Sequence, residues 1–264
     1  MGRLTDKAIL VTGSTTGIGK AIATRCLEEG ARVLIHGLES DLAEKTWNEL
    51  DPERTSSDVL IADLADPAAP ARLRDAMLNR FGKIDALVNN AALIGTGSIE
   101  TTDPAGFDQF VRINVKGPFF LIKTLLPELA KSGGCVLNIG SVNASCGEPD
   151  LLPYSITKGA LMTMTRNLGD TLHREYGVRV NQINPGWILT ENELRRKREQ
   201  GLPEDWPGAI NNQFAPSGRI FDPGEIAAAA VYFLSDESGP VSGSVLDIEQ
   251  YPMIGRNPSK EIQA

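Results

Sequence analysis

The chain has 264 residues, 26 of them basic and 34 acidic, so its formal net charge is −8. This acidic balance argues against a protein that binds nucleic acid or a membrane surface, because such proteins carry a basic face. Hydrophobic residues make up 41% of the chain, enough for a large buried core, and no apolar run reaches the ~20 residues of a membrane span. Three cysteines without paired spacing favour a reducing compartment, so we expect a cytoplasmic protein without disulfides or a metal site.

Short runs rich in Val, Ile and Leu alternate along the chain with longer segments of helical periodicity. The pattern predicts strands near 7–12, 31–36, 57–61, 84–88, 134–139, 178–183 and 244–248. It predicts helices near 17–29, 40–50, 67–81, 104–131, 154–176 and 223–235. Nearly continuous apolar strands alternating with helices are typical of parallel sheets covered on both faces. We therefore expect an α/β fold, a doubly wound parallel sheet of about seven strands with helices on both faces.

The sequence also predicts where two helices begin and where one long loop lies. Asp66-Pro67 and Asp222-Pro223 each predict a helix that begins at the proline, because the carboxylate can cap the first turn. Residues 187–222 are irregular and rich in proline and glycine, and so long a loop is usually functional. We expect it to be a substrate lid on a single domain that spans residues 1–264.

A glycine-rich turn follows the first predicted strand and leads directly into the first predicted helix. Gly13, Gly17 and Gly19 have the spacing G-x-x-x-G-x-G, and Ser14, Thr16 and Ile18 lie between them. Such glycines let the backbone approach a pyrophosphate at the positive end of a helix. A plain tight turn is the alternative interpretation.

This turn resembles the cofactor motif of the short-chain dehydrogenase/reductase family, in the branch with the TGxxxGIG and YxxxK motifs. The resemblance continues in order through nearly the whole chain, with Asn89-Asn90-Ala91-Ala92, Asn114, Ser141, Tyr154 to Lys158, and Pro185-Gly186. The sequence departs from the family at Ala92, usually glycine, and at Ile248–Tyr251, where the family usually has Asp-Gly-Gly. The resemblance implies a Rossmann-type fold that binds NAD or NADP.

One feature of the sequence indicates a ligand site independently of the family resemblance. Six polar or turn residues directly follow the predicted strands: Gly13, Gly37, Asp63, Asn89, Ser141 and Pro185. The carboxyl ends of parallel strands share one edge of the sheet, where ligands of open α/β folds bind. The sequence therefore predicts a ligand site at this edge.

Tyr154 and Lys158 are four residues apart on a predicted helix, so they share one face. A nearby ammonium lowers the pKa of a tyrosine from its ordinary ~10 and prepares it for acid–base catalysis. The resemblance implies that Tyr154 is the general acid/base, that Lys158 tunes it and contacts the ribose, and that Ser141 binds the reacting oxygen. It also implies that Asn114 completes a proton relay through water; the alternative is an Asn that bonds to the backbone.

The resemblance also implies a set of cofactor-binding residues, drawn from the glycine-rich turn and the loops after later strands. They are Gly13, Ser14, Thr16, Gly17, Ile18, Gly19, Gly37, Leu38, Asp63, Leu64, Asn89, Ala91, Tyr154, Lys158, Pro185, Gly186, Ile188 and Thr190. An acid after the second strand would select NAD and an Arg would select NADP. Neither stands at Gly37 or Leu38, but Glu39 and Asp41 would repel a 2′-phosphate, so we favour NAD over NADP. Ser14 is the one neighbour that could favour a phosphate.

The expected reaction is hydride transfer between the nicotinamide cofactor and an alcohol or ketone. The resemblance places Ser141, Asn143, Glu148, Tyr154 and Trp187 around the substrate. Carboxylates at Glu148 and Asp150 disfavour an anion by charge repulsion and favour a sugar or polyol.

Other functions stay open at this point. The basic run 195–198 is either a solvated helix or a clamp for an acyl carrier, which would indicate a 3-oxoacyl thioester reductase. A non-catalytic nucleotide sensor and a sugar-nucleotide epimerase are further alternatives. The family resemblance also implies a homotetramer or homodimer built on the helices predicted near 104–131 and 154–176.

Overall fold

The computed structural model describes residues 2–252 except 149, 213 and 214. Its single seven-stranded sheet has the order β3-β2-β1-β4-β5-β6-β7, and every pair of neighbours is parallel. The strands are β1 (Ala8–Val11), β2 (Arg32–Gly37), β3 (Ser57–Ile61), β4 (Ala86–Asn89), β5 (Cys135–Ile139), β6 (Arg179–Pro185) and β7 (Val245–Ile248). The predicted fold class is confirmed, and the strand order reverses between β1 and β4, where ligands of such sheets bind.

The helices are α1 (Gly17–Glu28), α2 (Ser40–Leu50), α3 (Ala69–Phe81), α4 (Pro104–Val111), α5 (Gly117–Ser132), α6 (Leu152–Tyr176), α7 (Glu191–Glu199) and α8 (Pro223–Leu234). They form a layer on each face of the sheet because successive strand residues point to opposite faces. Ile9 and Val11 pack with α1 and α8, whereas Ala8 and Leu10 pack with α3 and α5. Two buried cores therefore enclose the sheet, which explains why its strands are mainly apolar.

One predicted helix proves to be three consecutive segments. Residues 104–131 were expected to be continuous, but α4 and α5 are joined by a π-helical turn at Arg112–Lys116. Asn114 lies in this turn and directs its side chain to the backbone of Leu93. A π turn inserts one extra residue into the helix, and such turns are frequent at functional sites.

The two Asp-Pro pairs have different outcomes. At Asp222 the prediction is confirmed, because its carboxylate accepts from the Gly224 N–H at 2.7 Å in a capping box with Glu225. At Asp66 it is wrong: α3 begins at Ala69, and the Asp66 carboxylate instead accepts from the Ala68 N–H at 2.9 Å in a turn before the helix.

The predicted lid is less irregular than expected, since α7 lies within residues 187–222; residues 213 and 214 are outside the described part. Helix α7 has no buried residue among those described, so hydrophobic periodicity could not detect it. A small apolar cluster around the stacked rings of Trp187 and Trp206, with centroids 5.4 Å apart, holds the segment together. Across the described residues, no helix is both long and apolar enough to cross a membrane.

Candidate active site

The glycine-rich turn after β1 is held by a dense set of hydrogen bonds. Gly13 and Gly17 have φ angles of 61° and 55°, which favour glycine, and a Cβ at Gly19 would overlap the Gly13 carbonyl. The Asn90 amide donates to the carbonyls of Thr12 and Gly13, both at 2.9 Å. The turn therefore has a fixed shape and a backbone that a ligand can approach closely.

His36, at the end of β2, supports this turn from below. Its Nδ1 accepts from the Gly13 N–H at 3.1 Å, and its Nε2 lies 2.9 Å from the carbonyl oxygen of Ala62. These partners fix the neutral tautomer with hydrogen on Nε2. Burial lowers the pKa of His36 to about 4, so the ring is neutral at neutral pH. The residue thus connects the glycine-rich turn to the loop after β3.

The first turn of α1 already contacts an anionic side chain. The Gly17 N–H donates to the Glu191 carboxylate of α7 at 3.1 Å, and the Asn192 amide lies 3.4 Å from the Thr16 hydroxyl. Unpaired amides at a helix N-terminus bind anions. The carboxylate therefore marks a place where the turn can hold an anionic group, as the predicted cofactor site requires.

The end of β2 is closed to a large side chain. A Cβ at Gly37 would lie 2.6 Å from the Thr15 methyl group, which explains why no acid stands there. Ser14 is fully buried, and its hydroxyl donates to the Val11 carbonyl and accepts from the His36 N–H. The expectation that the Ser14 hydroxyl could favour a phosphate is therefore wrong. Leu38, in contrast, is 65% exposed.

The other predicted cofactor residues lie along the same edge. The Asp63 carboxylate caps a turn by accepting from the Ala65 N–H, and the Ala91 N–H donates to the Thr12 hydroxyl. Thr190 caps α7 by accepting from the Glu193 N–H, and its methyl group faces Gly17. Ile18 lies in the first turn of α1, and the remaining members lie at strand ends or in the loops that follow them: Leu64, Asn89, Pro185, Gly186 and Ile188.

Ser141 and Tyr154 meet at the end of β5. Ser141 follows the strand, and its Oγ accepts from the Asn143 N–H at 3.2 Å, which leaves the hydroxyl hydrogen to donate. The Ser141 hydroxyl lies close enough to the phenol of Tyr154, on the first turn of α6, to lower the pKa of that phenol. Tyr154 is 8% exposed, so its phenol is largely shielded from solvent.

Lys158 lies one turn further along α6 and is 3% exposed. Its ammonium donates to the Ile139 carbonyl at 2.7 Å and lies 5.5 Å from the centre of the Tyr154 ring. An ammonium has three hydrogens, so those not bonded to Ile139 are available to a ligand.

The pKa of Tyr154 differs from the expectation. Burial raises it to about 12, against a smaller lowering by the neighbouring Ser141 hydroxyl and by the charge of Arg196. Burial also lowers the pKa of Lys158 to about 8. Both shifts have the same cause, because removing water disfavours the phenolate and the ammonium alike.

Asn114 uses its side chain entirely for structure. Its Oδ1 accepts from the Leu93 N–H at 2.7 Å, and its Nδ2 donates to the Leu93 carbonyl and to the Thr157 hydroxyl. These bonds tie the π turn to the loop after β4 and to α6. The backbone-bonded alternative for Asn114 is thus confirmed for its side chain.

A chain of buried polar side chains beneath the site was not predicted. It runs from Asn89 through Asn138, Thr165, Gln182 and Asn184 to the exposed Asp247, and its hydrogen bonds measure 2.6 to 2.9 Å. The Asn184 Oδ1 also accepts from the Ser141 N–H at 3.2 Å. The only sequence signal was the presence of amides inside otherwise apolar strands.

The predicted substrate residues are not all brought together. Trp187 lies under α7 and donates from Nε1 to the Glu193 carboxylate at 2.8 Å. Asn143 lies beside Ser141, but Glu148 and Asp150 are exposed on a surface turn. Water screens such carboxylates, so their argument against an anionic substrate is weaker than expected.

Comparison with known proteins agrees with this geometry. A family model described as enoyl-(acyl carrier protein) reductase matches residues 13–250. The chain belongs to the short-chain dehydrogenase/reductase family. The enzyme therefore acts on CH–OH groups with a nicotinamide cofactor, and the alternative of a non-catalytic sensor is set aside.

The names of three similar proteins specify different substrates, and two of them specify a cofactor. The chain is 32% identical to the NADP-dependent (R)-specific alcohol dehydrogenase of Lentilactobacillus kefiri, over 92% of this chain and 94% of that protein. It is 35% identical to the L-fucose dehydrogenase of Bos taurus, over 89% of this chain and 85% of that one. A structure of an actinorhodin polyketide ketoreductase variant with NADPH superimposes with a TM-score of 0.85 at 28% identity, covering 92% of this dehydrogenase and 95% of the ketoreductase.

We predict that His36 makes the stability of this dehydrogenase depend on pH. Its folded pKa of about 4 lies below the ordinary 6.5, so its contribution is complete above 6.5 and is lost as the pH falls towards 4. Between about pH 7.5 and about pH 5.5 the wild type should lose about 1 kcal/mol more unfolding free energy than His36→Gln. Urea denaturation at the two pH values measures this difference, with His173→Gln as the control. Equal losses in wild type and His36→Gln would contradict the assignment.

Proposed function

We propose that this enzyme is an NAD-dependent dehydrogenase that interconverts a hydroxyl and a carbonyl group of a neutral sugar or polyol. The observation that carries the proposal is the buried phenol of Tyr154, with the Ser141 hydroxyl near it and the Lys158 ammonium 5.5 Å from its ring centre, at the sheet edge that holds the glycine-rich turn. A proton donor and acceptor at this place is what carbonyl chemistry next to a bound nicotinamide requires.

In this proposal the protein's own groups bind the substrate oxygen and move its proton. The cofactor supplies hydride exchange, and the glycine-rich turn and Lys158 hold it. Tyr154 Oη gives a proton to the carbonyl oxygen during reduction and takes it from the hydroxyl during oxidation. Ser141 donates a hydrogen bond to the same oxygen. The Lys158 ammonium stabilises the phenolate, which burial alone strongly disfavours.

Two observations support a sugar or polyol. One similar protein is an L-fucose dehydrogenase. The Glu193 carboxylate of α7, which accepts from Trp187 Nε1 at 2.8 Å, is a hydrogen-bond acceptor of the kind that hydroxyl groups use.

A 3-oxoacyl thioester reductase is the second candidate. It is favoured by the similarity to a polyketide ketoreductase and by the basic residues of α7. These residues are Arg195, Arg196, Lys197 and Arg198, and they point in different directions: Arg195 contacts Asn192, Arg196 contacts Glu193, and Arg198 contacts Glu204. A clamp would need them on one face.

A substrate panel tests the proposal. With either cofactor, the wild type should reduce or oxidise neutral sugars and polyols faster than 2-hydroxy acids or 3-oxoacyl thioesters, followed at the nicotinamide absorbance band.

Tyr154→Phe should lose more than about tenfold in kcat/KM, a barrier increase of at least ~1.4 kcal/mol, while its cofactor affinity stays unchanged. Lys158→Ala should lose both kcat/KM and cofactor affinity, because Lys158 is also proposed to contact the ribose. Turnover on thioesters alone, abolished in the Arg195→Ala/Arg196→Ala double variant, would establish the second candidate instead.

The preference for NAD rests on charge near the end of β2. Leu38 offers no cation, and the exposed carboxylates of Glu39 and Asp41 would repel a 2′-phosphate. We expect tighter binding of NADH than of NADPH in fluorescence titrations. Leu38→Arg should tighten NADPH binding by about tenfold, since Arg pairs with phosphate in a bidentate geometry. The matched control is Leu38→Gln, and tighter binding of NADPH by the wild type would contradict the preference.

We also propose that the enzyme is cytoplasmic and assembles as a homodimer or homotetramer through α5 and α6. Phe119, Phe120 and Ile156 on these helices are each 47% exposed, an unusual arrangement for large apolar side chains. Sedimentation equilibrium should give at least twice the chain mass of 28.4 kDa. Phe120→Glu should lower that mass, whereas a monomeric wild type would exclude the assembly. The single-domain organisation over residues 1–264 stays a prediction.

A further inference from the structure

The backbone of Ser141 is held by a side chain rather than by the ladder of the sheet. Just past β5, the Gly140 N–H still donates to the Ile183 carbonyl of β6 at 2.7 Å. The next N–H along the chain, that of Ser141, donates instead to the carboxamide oxygen of Asn184 at 3.2 Å. Ser141 therefore lies where regular strand pairing gives way to a bond with a single amide group.

The carboxamide of Asn184 packs directly against the backbone before Ser141. A Cβ at Gly140 would overlap both the Asn184 Oδ1 and the Gln182 Nε2, so glycine leaves the room that these groups need. Asn184 and Gln182 are both 0% exposed. An amide so closely surrounded keeps one position, because buried polar groups rely on their protein partners in place of water.

Asp247 of β7 determines which way round this amide is held. The Asn184 Nδ2 donates to the Asp247 carboxylate at 2.8 Å. The Asn184 Oδ1 accepts from the Gln182 amide at 2.6 Å as well as from the Ser141 N–H. An ionised carboxylate only accepts hydrogen bonds, so the amide nitrogen has to face Asp247 and the amide oxygen has to face Ser141. The reversed amide would oppose donors at Ser141 and acceptors at Asp247.

The position of this backbone decides where the Ser141 hydroxyl lies. Its Oγ accepts from the Asn143 N–H at 3.2 Å, which leaves the hydroxyl hydrogen to donate. In the proposed function that hydrogen binds the reacting oxygen beside the phenol of Tyr154. A shift of about 1 Å in a group that contacts the reacting atoms can lower the rate by about 100-fold. A bond that fixes Ser141 therefore acts on catalysis without touching the substrate.

We propose that Asn184 and Asp247 are positioning residues for Ser141. Asp247 fixes the orientation of the Asn184 amide, and the amide oxygen fixes the Ser141 backbone so that its hydroxyl meets the reacting oxygen. This inference rests on the role of Ser141 in the proposed function, but it does not depend on the identity of the substrate. It links the last strand of the sheet, β7, to the catalytic step.

The two residues should contribute unequally. Asn184 is buried and contacts Ser141 directly, whereas Asp247 is exposed and acts through the amide. Water screens the charge of Asp247 and can replace part of its hydrogen bond. Replacement of Asp247 should therefore have the smaller effect.

The first test measures kcat on the panel substrate that the wild type turns over fastest, and the dissociation constant of NADH by fluorescence. Asn184→Ala should lower kcat by about tenfold and Asp247→Asn by about threefold, with NADH affinity within about twofold of the wild type. The matched control is Asn181→Ala, another buried amide of β6, whose bonds go to the Val241 carbonyl and the Ser244 N–H. It should keep kcat within about twofold.

A double-mutant cycle shows whether Asn184 acts through Ser141. Ser141→Ala removes the hydroxyl, so no catalytic group remains to be positioned. Adding Asn184→Ala to Ser141→Ala should then lower kcat by less than about twofold. A merely structural role would give the same tenfold loss in both backgrounds.

Hydrogen exchange tests the positioning without any substrate. In NMR spectra of the NADH complex, the Ser141 N–H should exchange more than about tenfold faster in Asn184→Ala than in the wild type. It should exchange about threefold faster in Asp247→Asn and at the wild-type rate in Asn181→Ala. If Asn184→Ala fails to fold, as judged by circular dichroism, Asp247→Asn carries both the kinetic and the exchange test because its side chain is exposed.

The outcomes for the two proposals are distinct. Wild-type rates on the panel decide whether the enzyme acts on sugars and polyols, and Ser141→Ala decides whether Ser141 takes part. A Ser141→Ala variant with unchanged kcat overturns both that role and the inference. A loss in Ser141→Ala together with unchanged kcat and unchanged Ser141 exchange in the folded Asn184 or Asp247 variants overturns the inference alone.

Discussion

The bond between the Lys158 ammonium and the Ile139 carbonyl is the contact on which the site depends. It joins α6 to the carboxyl end of β5 and holds a cation in a place almost without water. Burial lowers the pKa of Lys158 to about 8 and raises that of Tyr154 to about 12, so at neutral pH the free site holds an ammonium beside a neutral phenol. A phenolate becomes favourable only when the ammonium or the hydrogen bonds of a ligand stabilise it. The same desolvation that disfavours the phenolate makes the ammonium beside it effective.

Lys158 can assist Tyr154 only if Ser141 and Tyr154 have fixed positions. The buried polar side chains beneath the site fix the position of Ser141. Amides inside a core are stabilising only when their hydrogen bonds are satisfied, and those of Asn138, Gln182 and Asn184 are paired across strands β4 to β7. Asn184 ends beside Ser141 and accepts from its backbone N–H. The rigidity of the sheet is thus transmitted to the residue that faces the substrate.

The sequence predicted most of the framework because its signals are local or periodic. Seven apolar runs indicated seven strands, and the resemblance to the family implied that Ser141, Tyr154 and Lys158 act at one site. Helix α7 escaped because it has no apolar face, and the π turn at Asn114 escaped because its cause is a bond to the distant Leu93. The direction of the Tyr154 pKa was wrong for a related reason. Proximity to Lys158 could be read from spacing, whereas the depth of burial depends on the whole packed site.

The site has two parts, the sheet edge with α6 and the helix α7, and they differ in how strongly the core holds them. The sheet edge and α6 are fixed by buried bonds, as catalysis by a positioned proton donor requires. Helix α7 instead contacts the glycine-rich turn through the exposed Glu191, while its Glu193 and Arg196 side chains pair with each other. A bound phosphate would replace the Glu191 contact with an equivalent one, so α7 can exchange this partner at little net cost. Because α7 has no buried residue among those described, it is the part of the site that can move furthest without disturbing the core.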